Sequence, residues 1–312
     1  MEILSTILPI LIIVLIGFLS ANRQYLSRND CDSIAKFVFN YLIPILLFTG
    51  TVKAEIPDNM QWEFLFSYYI ALFFIYVLGI VLAKLVFNFS VVEQSVFSMG
   101  CSYSNSTIVG IPVCLYALGE RAMLPLFIIL SIHNLFLFTL GCFAAERGSL
   151  LTKEFIKNFL GILKQLVTSP ITSSLIIGGM VNILQIPIYS AVQESLNLMS
   201  QAAVPTALFT LGTSLNKYKI HGHIAPALVI VLLKTLLFPF LVWLLVFQVF
   251  NINTLWAATA LLTSAMPVGI SAYIFSHQYN VCEAPIATGI FISTVSSVIT
   301  LSVLIAYVQS VI

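Results

Sequence analysis

The segment Asn105-Ser106-Thr107-Ile108-Val109-Gly110-Ile111-Pro112 places polar residues, a glycine and a proline inside a long apolar stretch. In the second half of the chain, Thr263-Ser264-Ala265-Met266-Pro267-Val268-Gly269-Ile270-Ser271 does the same. Proline removes a backbone hydrogen-bond donor and clashes with the preceding turn, whereas glycine tolerates an unwound backbone. Each segment therefore predicts a helix that is interrupted rather than continuous.

The composition predicts that these helices lie in a membrane. Hydrophobic residues make up 60% of the chain and charged residues 8%, and the mean hydropathy is +1.05. Soluble domains have about 25% charged residues, so this balance is typical of an integral membrane protein. Continuous apolar runs of about 20 residues favour helices over the short alternating strands of a membrane barrel. We predict an all-α membrane protein with ten transmembrane helices, at residues 3–21, 34–52, 64–87, 95–117, 122–145, 171–188, 196–215, 224–250, 255–277 and 284–309. The first is expected to be a retained span and not a cleaved leader.

The basic residues predict the orientation, because Lys and Arg collect on the cytoplasmic side of a membrane. Ten of the 13 fall on one side of the predicted spans: Arg23, Arg28, Lys36, Lys84, Arg147, Lys153, Lys157, Lys164, Lys217 and Lys219. Lys53 and Arg121 fall on the other side, and Lys234 lies within a span. Both termini are therefore expected to be extracytoplasmic.

Two halves of five spans each must then have opposite orientations. Internal similarity supports such a repeat, since the segments beginning at Pro44 and Pro205 share Pro, Leu, Phe and Thr at identical spacing. We predict two inverted five-helix repeats, at residues 1–145 and 170–312, with the fourth and ninth helices broken. The cytoplasmic linker at 146–169 has apolar residues at helical spacing between lysines, which predicts an amphipathic helix on the membrane surface.

Broken helices at matching positions of two halves are the pattern of a secondary transporter's substrate site. Half-helices restarting near Pro112 and near Pro267 would point their N-termini at the membrane centre, where the helix dipole favours an anion. The candidate binding residues are Asn105, Ser106, Thr107, Gly110, Pro112, Thr263, Ser264, Pro267, Gly269 and Ser271. Two alternatives remain: the prolines merely kink their helices, or the Ser and Thr hydroxyls bond to their own helix backbone.

Three further polar residues are candidate charge or proton partners. A lysine near a helix centre is costly, so Lys234 should face protein or water, as a countercharge to an anion or a tie between helices. Snorkelling towards the cytoplasmic face is the alternative for its long side chain. His133, beside Asn134, could carry a proton or be a structural histidine.

Enzyme chemistry is not indicated. No Asp or Glu lies deep within a predicted span, the five cysteines form no CxxC pair, and Walker, HExxH and GxSxG motifs are absent. We therefore expect neither a metal site nor a catalytic one, and no cofactor beyond coupling to sodium or protons.

The chain resembles a known family at both interrupted segments. The fourth-span motif is matched by Asn105, Thr107, Gly110, Ile111 and Pro112. The broken ninth span leading into the tenth is matched by Pro267, Gly269, Ile270, Phe275, Tyr279, Asn280, Val281, Thr288, Gly289, Phe291, Ile299, Thr300 and Leu301. Further matches are Pro44, Phe48, Pro205, Leu208, Leu211, Gly212, Lys234 and Pro239. Over essentially its whole length the chain is similar to the auxin efflux carrier family, which includes plant PIN exporters and many bacterial permeases.

This resemblance implies that the fourth and ninth helices cross and that an organic anion binds at the crossing, with Asn105 and the backbone beside Pro112 and Pro267 holding its carboxylate. It also implies an elevator-like motion of helices 3–5 and 8–10 against a scaffold of helices 1, 2, 6 and 7, and a homodimer formed by the scaffold. The long hydrophilic loop of the larger plant exporters is absent, which favours a compact bacterial-type member. Ser169 stands where the family often has Asn, so any role of the sixth span is open.

We expect a secondary transporter of small organic carboxylates, either dicarboxylates or auxin-like anions, in the inner (plasma) membrane. Its expected partners are this substrate, the lipid bilayer and a second copy of the chain, with no nucleic acid. Tyr103, Tyr273 and Phe275 near the breaks would suit an aromatic guest or serve packing alone. The alternatives are a sodium-coupled symporter of the bile-acid-transporter type and a non-transporting sensor or channel.

Overall fold

The structure, a computed structural model, describes residues 2–54, 61–146, 160, 161, 164, 168–215 and 224–312. These residues are almost entirely helical, and no strand is present among them. The helices are α1 (Glu2–Asn22), α2 (Arg28–Val52), α3 (Trp62–Leu85), α4 (Val91–Ser102), α5 (Ser106–Leu118), α6 (Glu120–Ala145), α7 (Pro170–Ile183), α8 (Ser190–Leu215), α9 (Ile224–Val249), α10 (Thr254–Ser264), α11 (Ile270–Tyr279) and α12 (Glu283–Val311). The predicted amphipathic helix at 146–169 lies almost wholly outside the described residues.

Several of these helices are suited to a bilayer. Five, namely α2, α3, α6, α9 and α12, are long and apolar enough to cross a membrane, and α5 and α7 are shorter apolar helices. Large apolar side chains are exposed along them, as at Phe66, Phe240 and Val303. Apolar side chains on a helix exterior are stable against hydrocarbon, so the structure supports an integral membrane protein.

Side-chain caps fix where some helices begin. Ser27 accepts a hydrogen bond from the Asp30 amide while the Asp30 carboxylate accepts one from the Ser27 amide, and Ser90 with Glu93 forms the same box at the start of α4. Helix α2 therefore begins before the predicted residue 34, because its first turn is polar and is held by a cap rather than by hydropathy.

Proline and wide helical turns occur together. The π-helical turns Val38–Leu42, Ser106–Gly110 and Leu233–Leu237 each end two residues before a proline, namely Pro44, Pro112 and Pro239. A proline inside an α-helix clashes with the carbonyl four residues earlier, and in all three cases that carbonyl lies in the π turn. The wider turn gives the ring space, so these helices continue through the proline.

The chain divides into two compact units by its internal contacts. Unit 1 is Met1–Met60, Ile111–Phe127 and Lys164–Lys217, and unit 2 is Gln61–Gly110, Ile128–Leu163 and Tyr218–Ile312. Unit 1 therefore contains α1, α2, α7 and α8, whereas unit 2 contains α3, α4 and α9 to α12. Two of the boundaries between units fall within helices, one in α5 and one in α6.

Within unit 1, glycines allow α1 and α8 to pack with their backbones almost touching. A Cβ atom added at Gly17 would lie 2.1 Å from the Phe209 carbonyl oxygen, and one at Gly212 would lie 2.0 Å from the Val14 carbonyl oxygen. Small residues at such crossings are a usual device of membrane helix packing. Helix α7 joins α2 through Asn182, whose side-chain amide donates to the last carbonyls of α2, including that of Val52 at 2.8 Å.

We expect Gly212→Ala to lower the free energy of unfolding by about 1–3 kcal/mol, because the new methyl group must displace the backbone at Val14. Thermal unfolding in detergent measures the change. The matched control is Gly179→Ala in α7, where the nearest atom would be 4.0 Å away and the substitution should be neutral or stabilising. Equal melting temperatures for both variants would contradict the predicted close packing.

Candidate functional site

Two helix interruptions form the centre of the candidate site. The first separates α4, which ends at Ser102, from α5, which begins at Ser106. The second separates α10, which ends at Ser264, from α11, which begins at Ile270. Tyr103 (ψ 113°) and Gly269 (ψ 146°) are extended, so the chain leaves the helical conformation in both places.

The two interruptions hydrogen-bond to each other. The Asn105 amide donates to the Pro267 carbonyl at 2.9 Å, and the Gly269 amide donates to the Tyr103 carbonyl at 2.9 Å. Between these bonds Ser104 and Val268 form an antiparallel β-bridge. The two stretches that the sequence predicts to be broken are therefore brought together in one place, and each satisfies backbone groups that the other exposes.

The bridge residues direct their own amides outward to side chains on neighbouring helices. The Ser104 amide donates to Nε2 of His133 on α6 at 3.4 Å. The Val268 amide donates to Oγ of Ser293 on α12 at 3.0 Å. An unpaired amide buried in a membrane protein costs several kcal/mol, so these two side chains help to make the irregular backbone tolerable.

Glycine is required at the second interruption for space and not for a special dihedral angle. A Cβ atom at Gly269 would lie 2.5 Å from Cδ1 of Tyr103 and 3.1 Å from the Ser104 carbonyl oxygen. At Gly110 in the first interruption the nearest atoms, in Met266 and Ser106, would be 3.4 Å away.

Lys234 is fully buried and reaches the second interruption. Its ammonium group donates to the carbonyls of Ser264 at 2.5 Å and Met266 at 2.7 Å, and it lies 4.9 Å from the centre of the Phe238 ring. Lys234 is therefore a tie between α9 and the end of α10, which was one of the two predicted functions, and it does not snorkel.

The first half-helix restarts before Pro112 with a π turn at Ser106, and its regular α-helical part begins at Ile111, beside Pro112. Helix α5 begins at Ser106, and the Asn105 carbonyl accepts from the amides of Val109 and Gly110, both at 3.1 Å. Pro112 lies inside α5, because the preceding π turn accommodates its ring. Near Pro267 the new helix begins at Ile270.

The predicted hydroxyl donors differ in their availability. Thr263 and Ser264 donate to their own helix, to the carbonyls of Thr259 and Leu261 at 2.6 and 2.7 Å, so they match the alternative of local bonding. Thr107 and Ser271 are half-buried, and Asn105 is 8% exposed.

Several buried polar atoms at the first interruption have no hydrogen-bond partner among the residues that the structure describes. They are Oγ of Ser104, Oγ of Ser106 and Nδ1 of His133, on residues that are each at most 2% exposed. Because Nε2 of His133 accepts from the Ser104 amide, the neutral ring carries its proton on Nδ1 and offers it as a donor. Unsatisfied buried donors are rare in folded proteins, so these three groups are candidate partners for a bound water, ion or ligand.

Tyr103 links the first interruption to Asn134, the last of the candidate residues predicted from the sequence. Its hydroxyl donates to Oδ1 of Asn134, it interacts with the side chain of Ser271, and its ring packs edge-on against His133 with centroids 5.1 Å apart. The sequence indicated Tyr103 only as a possible aromatic neighbour and did not indicate Ser104, Val268 or Ser293. The predicted repeat could have suggested Ser293, which follows the second break in the sequence much as His133 follows the first.

A large apolar cavity lies elsewhere in unit 2. It has a volume of 510 Å³ and is lined by residues of α9, α10 and α12, among them Thr235, Trp243 and Tyr307. None of the predicted site residues lines it.

Comparison with known proteins assigns the family. The family described as Membrane transport protein matches residues 2–305. The chain belongs to this family. The resemblance to auxin efflux carriers is thereby confirmed, and the relatives of the chain are transporters and not enzymes.

Three members of the membrane transport protein family show the range of relatives. A Rhizobium meliloti protein named "Putative malonate transporter" is 25% identical, over 99% of this chain and 97% of its own length. An uncharacterized transporter of Methanocaldococcus jannaschii is 23% identical, over 96% of both chains. Auxin efflux carrier component 5 of Arabidopsis thaliana is 20% identical, over 98% of this chain and 95% of its own length.

We expect Gly269→Ala to destabilise the protein by about 1–3 kcal/mol, because the new methyl group would overlap the Tyr103 ring and press on the Ser104 carbonyl. Gly110→Ala is the matched control, since its methyl group would meet atoms at ordinary contact distance. Thermal unfolding of both purified variants tests this prediction. If Gly110→Ala loses as much stability as Gly269→Ala, the closer contact at Gly269 is not the cause of the loss.

We expect Ser293→Ala to cost about 1–3 kcal/mol, because the Val268 amide would lose its acceptor in a buried position. Ser296→Ala on the same helix should have little effect, since that hydroxyl donates only to the Ser293 carbonyl of its own helix. Denaturation curves for the two variants separate the outcomes, and an unchanged Ser293→Ala would show that the Val268 amide finds another acceptor.

Proposed function

We propose that this protein is a secondary transporter of small organic carboxylates, and that the carboxylate binds at the paired interruptions. The observation that carries the proposal is the group of unpaired donors on Ser104, Ser106 and His133 beside two helix N-termini. Hydroxyl and imidazole N–H groups in a buried site can donate charge-assisted hydrogen bonds to carboxylate oxygens.

The helix N-termini add further donors at the same place. The first amides of α5 and α11 have no partner within their own helices. Gly269, which precedes α11, provides no side-chain cap, and Asn105, which precedes α5, uses its carbonyl for the first helical bonds. A carboxylate at these termini would accept from amides that have no partner within their own helices.

The relatives support an anionic substrate. One is named for malonate and another for auxin, and both names denote organic acids. The absence of buried Asp and Glu side chains from the described residues agrees with this choice, because a buried carboxylate would repel an anionic guest.

The proposed mechanism is alternating access by an elevator-type motion. We propose that the ten predicted spans form two inverted repeats, and that helices 3–5 and 8–10 carry the substrate past a scaffold of helices 1, 2, 6 and 7 that forms a homodimer. The division of contacts supports this grouping, since α1, α2, α7 and α8 fall in unit 1 and both members of the β-bridge fall in unit 2. We place the protein in the inner (plasma) membrane with both termini extracytoplasmic.

Uptake and exchange of radiolabelled malonate and indole-3-acetate in proteoliposomes test the function. A transporter should show saturable uptake and countertransport, whereas a channel or a sensor should not. Parallel assays with imposed sodium and proton gradients identify the coupling ion, and a strict sodium requirement would favour the bile-acid-transporter type of symport.

We expect Asn105→Ala to weaken carboxylate binding about 10-fold or more, because a hydrogen bond to a charged group contributes about 1.5–3 kcal/mol. Thr263→Val, near the end of α10, is the matched control. It should bind with the affinity of the wild type, because the Thr263 hydroxyl already donates to the Thr259 carbonyl. Isothermal titration with malonate measures both. Full affinity in the double variant Asn105→Ala, Pro267→Ala would exclude the assigned site.

A further inference from the structure

Four helix ends meet at the paired interruptions, and their dipoles oppose one another. The N-termini of α5 and α11 each carry roughly half a positive charge, and the C-termini of α4 and α10 each carry roughly half a negative charge. Two ends of each sign leave no net charge. Helix dipoles alone would therefore give the interruption local donors, but no overall preference for an anion.

Lys234 changes this balance at one of the four ends. Of the terminal carbonyls of α10, those of Leu261 and Leu262 accept from the Ala265 amide, and that of Thr263 accepts from the Met266 amide. The carbonyl of Ser264 and the carbonyl of Met266 that follows it are bonded by the Lys234 ammonium group. In its protonated form, Lys234 thus covers the negative end of α10 with a full positive charge.

The surroundings of Lys234 provide no compensating carboxylate. In the part of the chain that the structure describes, Lys234 is the only buried residue among Lys, Arg, Asp and Glu. Another neighbour is the face of the Phe238 ring, which attracts a cation without neutralising it. The 2.7 Å bond to the Met266 carbonyl has the length of a charge-assisted N–H···O hydrogen bond.

We infer that Lys234 sets the charge selectivity of the substrate site, making the paired interruptions net positive so that they prefer a carboxylate over a neutral analogue of the same shape. Lys234 acts on the substrate through its electrostatic field at the end of α10, because its ammonium group already donates to backbone carbonyls. The inference rests on the proposed function and names the residue that gives the site its preference for anions.

The expected size of the effect follows from Coulomb's law. At an effective dielectric constant of about 20, unit charges about 10 Å apart interact strongly enough to change a binding constant about tenfold. Removal of the Lys234 charge should therefore lower affinity for an anion by about tenfold or more, and should leave affinity for a neutral analogue almost unchanged.

The experiment compares malonate with malonamide, which replaces the charged carboxylates by neutral amides of similar shape. Dissociation constants for both are measured by titration on the full chain in detergent, for wild type, Lys234→Gln, Lys234→Arg and Lys84→Gln. Lys234→Gln keeps N–H donors for the carbonyls but removes the charge, and Lys234→Arg keeps the charge. Lys84→Gln makes the same charge change at an exposed position on α3 and is the control.

We expect wild type, Lys234→Arg and Lys84→Gln to prefer malonate, and Lys234→Gln to lose about tenfold or more of that preference. The ratio of the malonamide and malonate dissociation constants separates a charge effect from a structural one, because loss of structure would weaken the binding of both ligands together. A folded Lys234→Gln with the wild-type ratio would overturn the inference while leaving the proposed function in place.

Lys234→Arg keeps the test decisive if Lys234→Gln fails to fold, since a folded Lys234→Arg without a preference for malonate would also overturn it. A wild-type protein that binds no malonate, and that exchanges no carboxylate in proteoliposomes, would overturn the proposed function and this inference together.

Discussion

The structure depends on the mutual pairing of two interrupted helices. A bilayer offers no water to free backbone groups, so a helix can stop at membrane depth only where another part of the protein completes its hydrogen bonds. The Asn105 amide with the Pro267 carbonyl, and the Gly269 amide with the Tyr103 carbonyl, meet this condition for both interruptions at once. Neither interruption would be stable alone, and the two halves of the chain are therefore coupled at their polar centre.

The pairing also decides which groups remain for a ligand. The backbone amides at the bridge donate to carbonyls of the opposite segment, to His133 and to Ser293. The hydroxyl of Thr263 donates within its own helix. The donors left over lie on Ser104, Ser106 and Nδ1 of His133. The proposed substrate site thus consists of the donors that an otherwise satisfied hydrogen-bond network leaves over, and we infer that Lys234 makes this site net positive.

Much of the fold follows from the sequence because hydropathy and breaker residues act locally. Apolar runs predict membrane helices, and proline together with glycine predicts where two of these helices are interrupted. Local chemistry predicts less about the details. Pro112 marks an interruption in the sequence, yet the helix has already restarted at Ser106, since a π turn lets it continue past the ring. The same pairing of a π turn with a proline recurs before Pro44 and Pro239.

By itself, the sequence determined a helical membrane protein of the transport family with two helix interruptions. Only the tertiary structure decided that the interruptions bond to each other, that Lys234 holds the end of α10, and that Ser293 serves the Val268 amide. The physical reason is that a breaker residue frees backbone groups at a position fixed by the sequence. The partner of each freed group, however, comes from a distant segment, and only the packing of the helices brings it within hydrogen-bond distance.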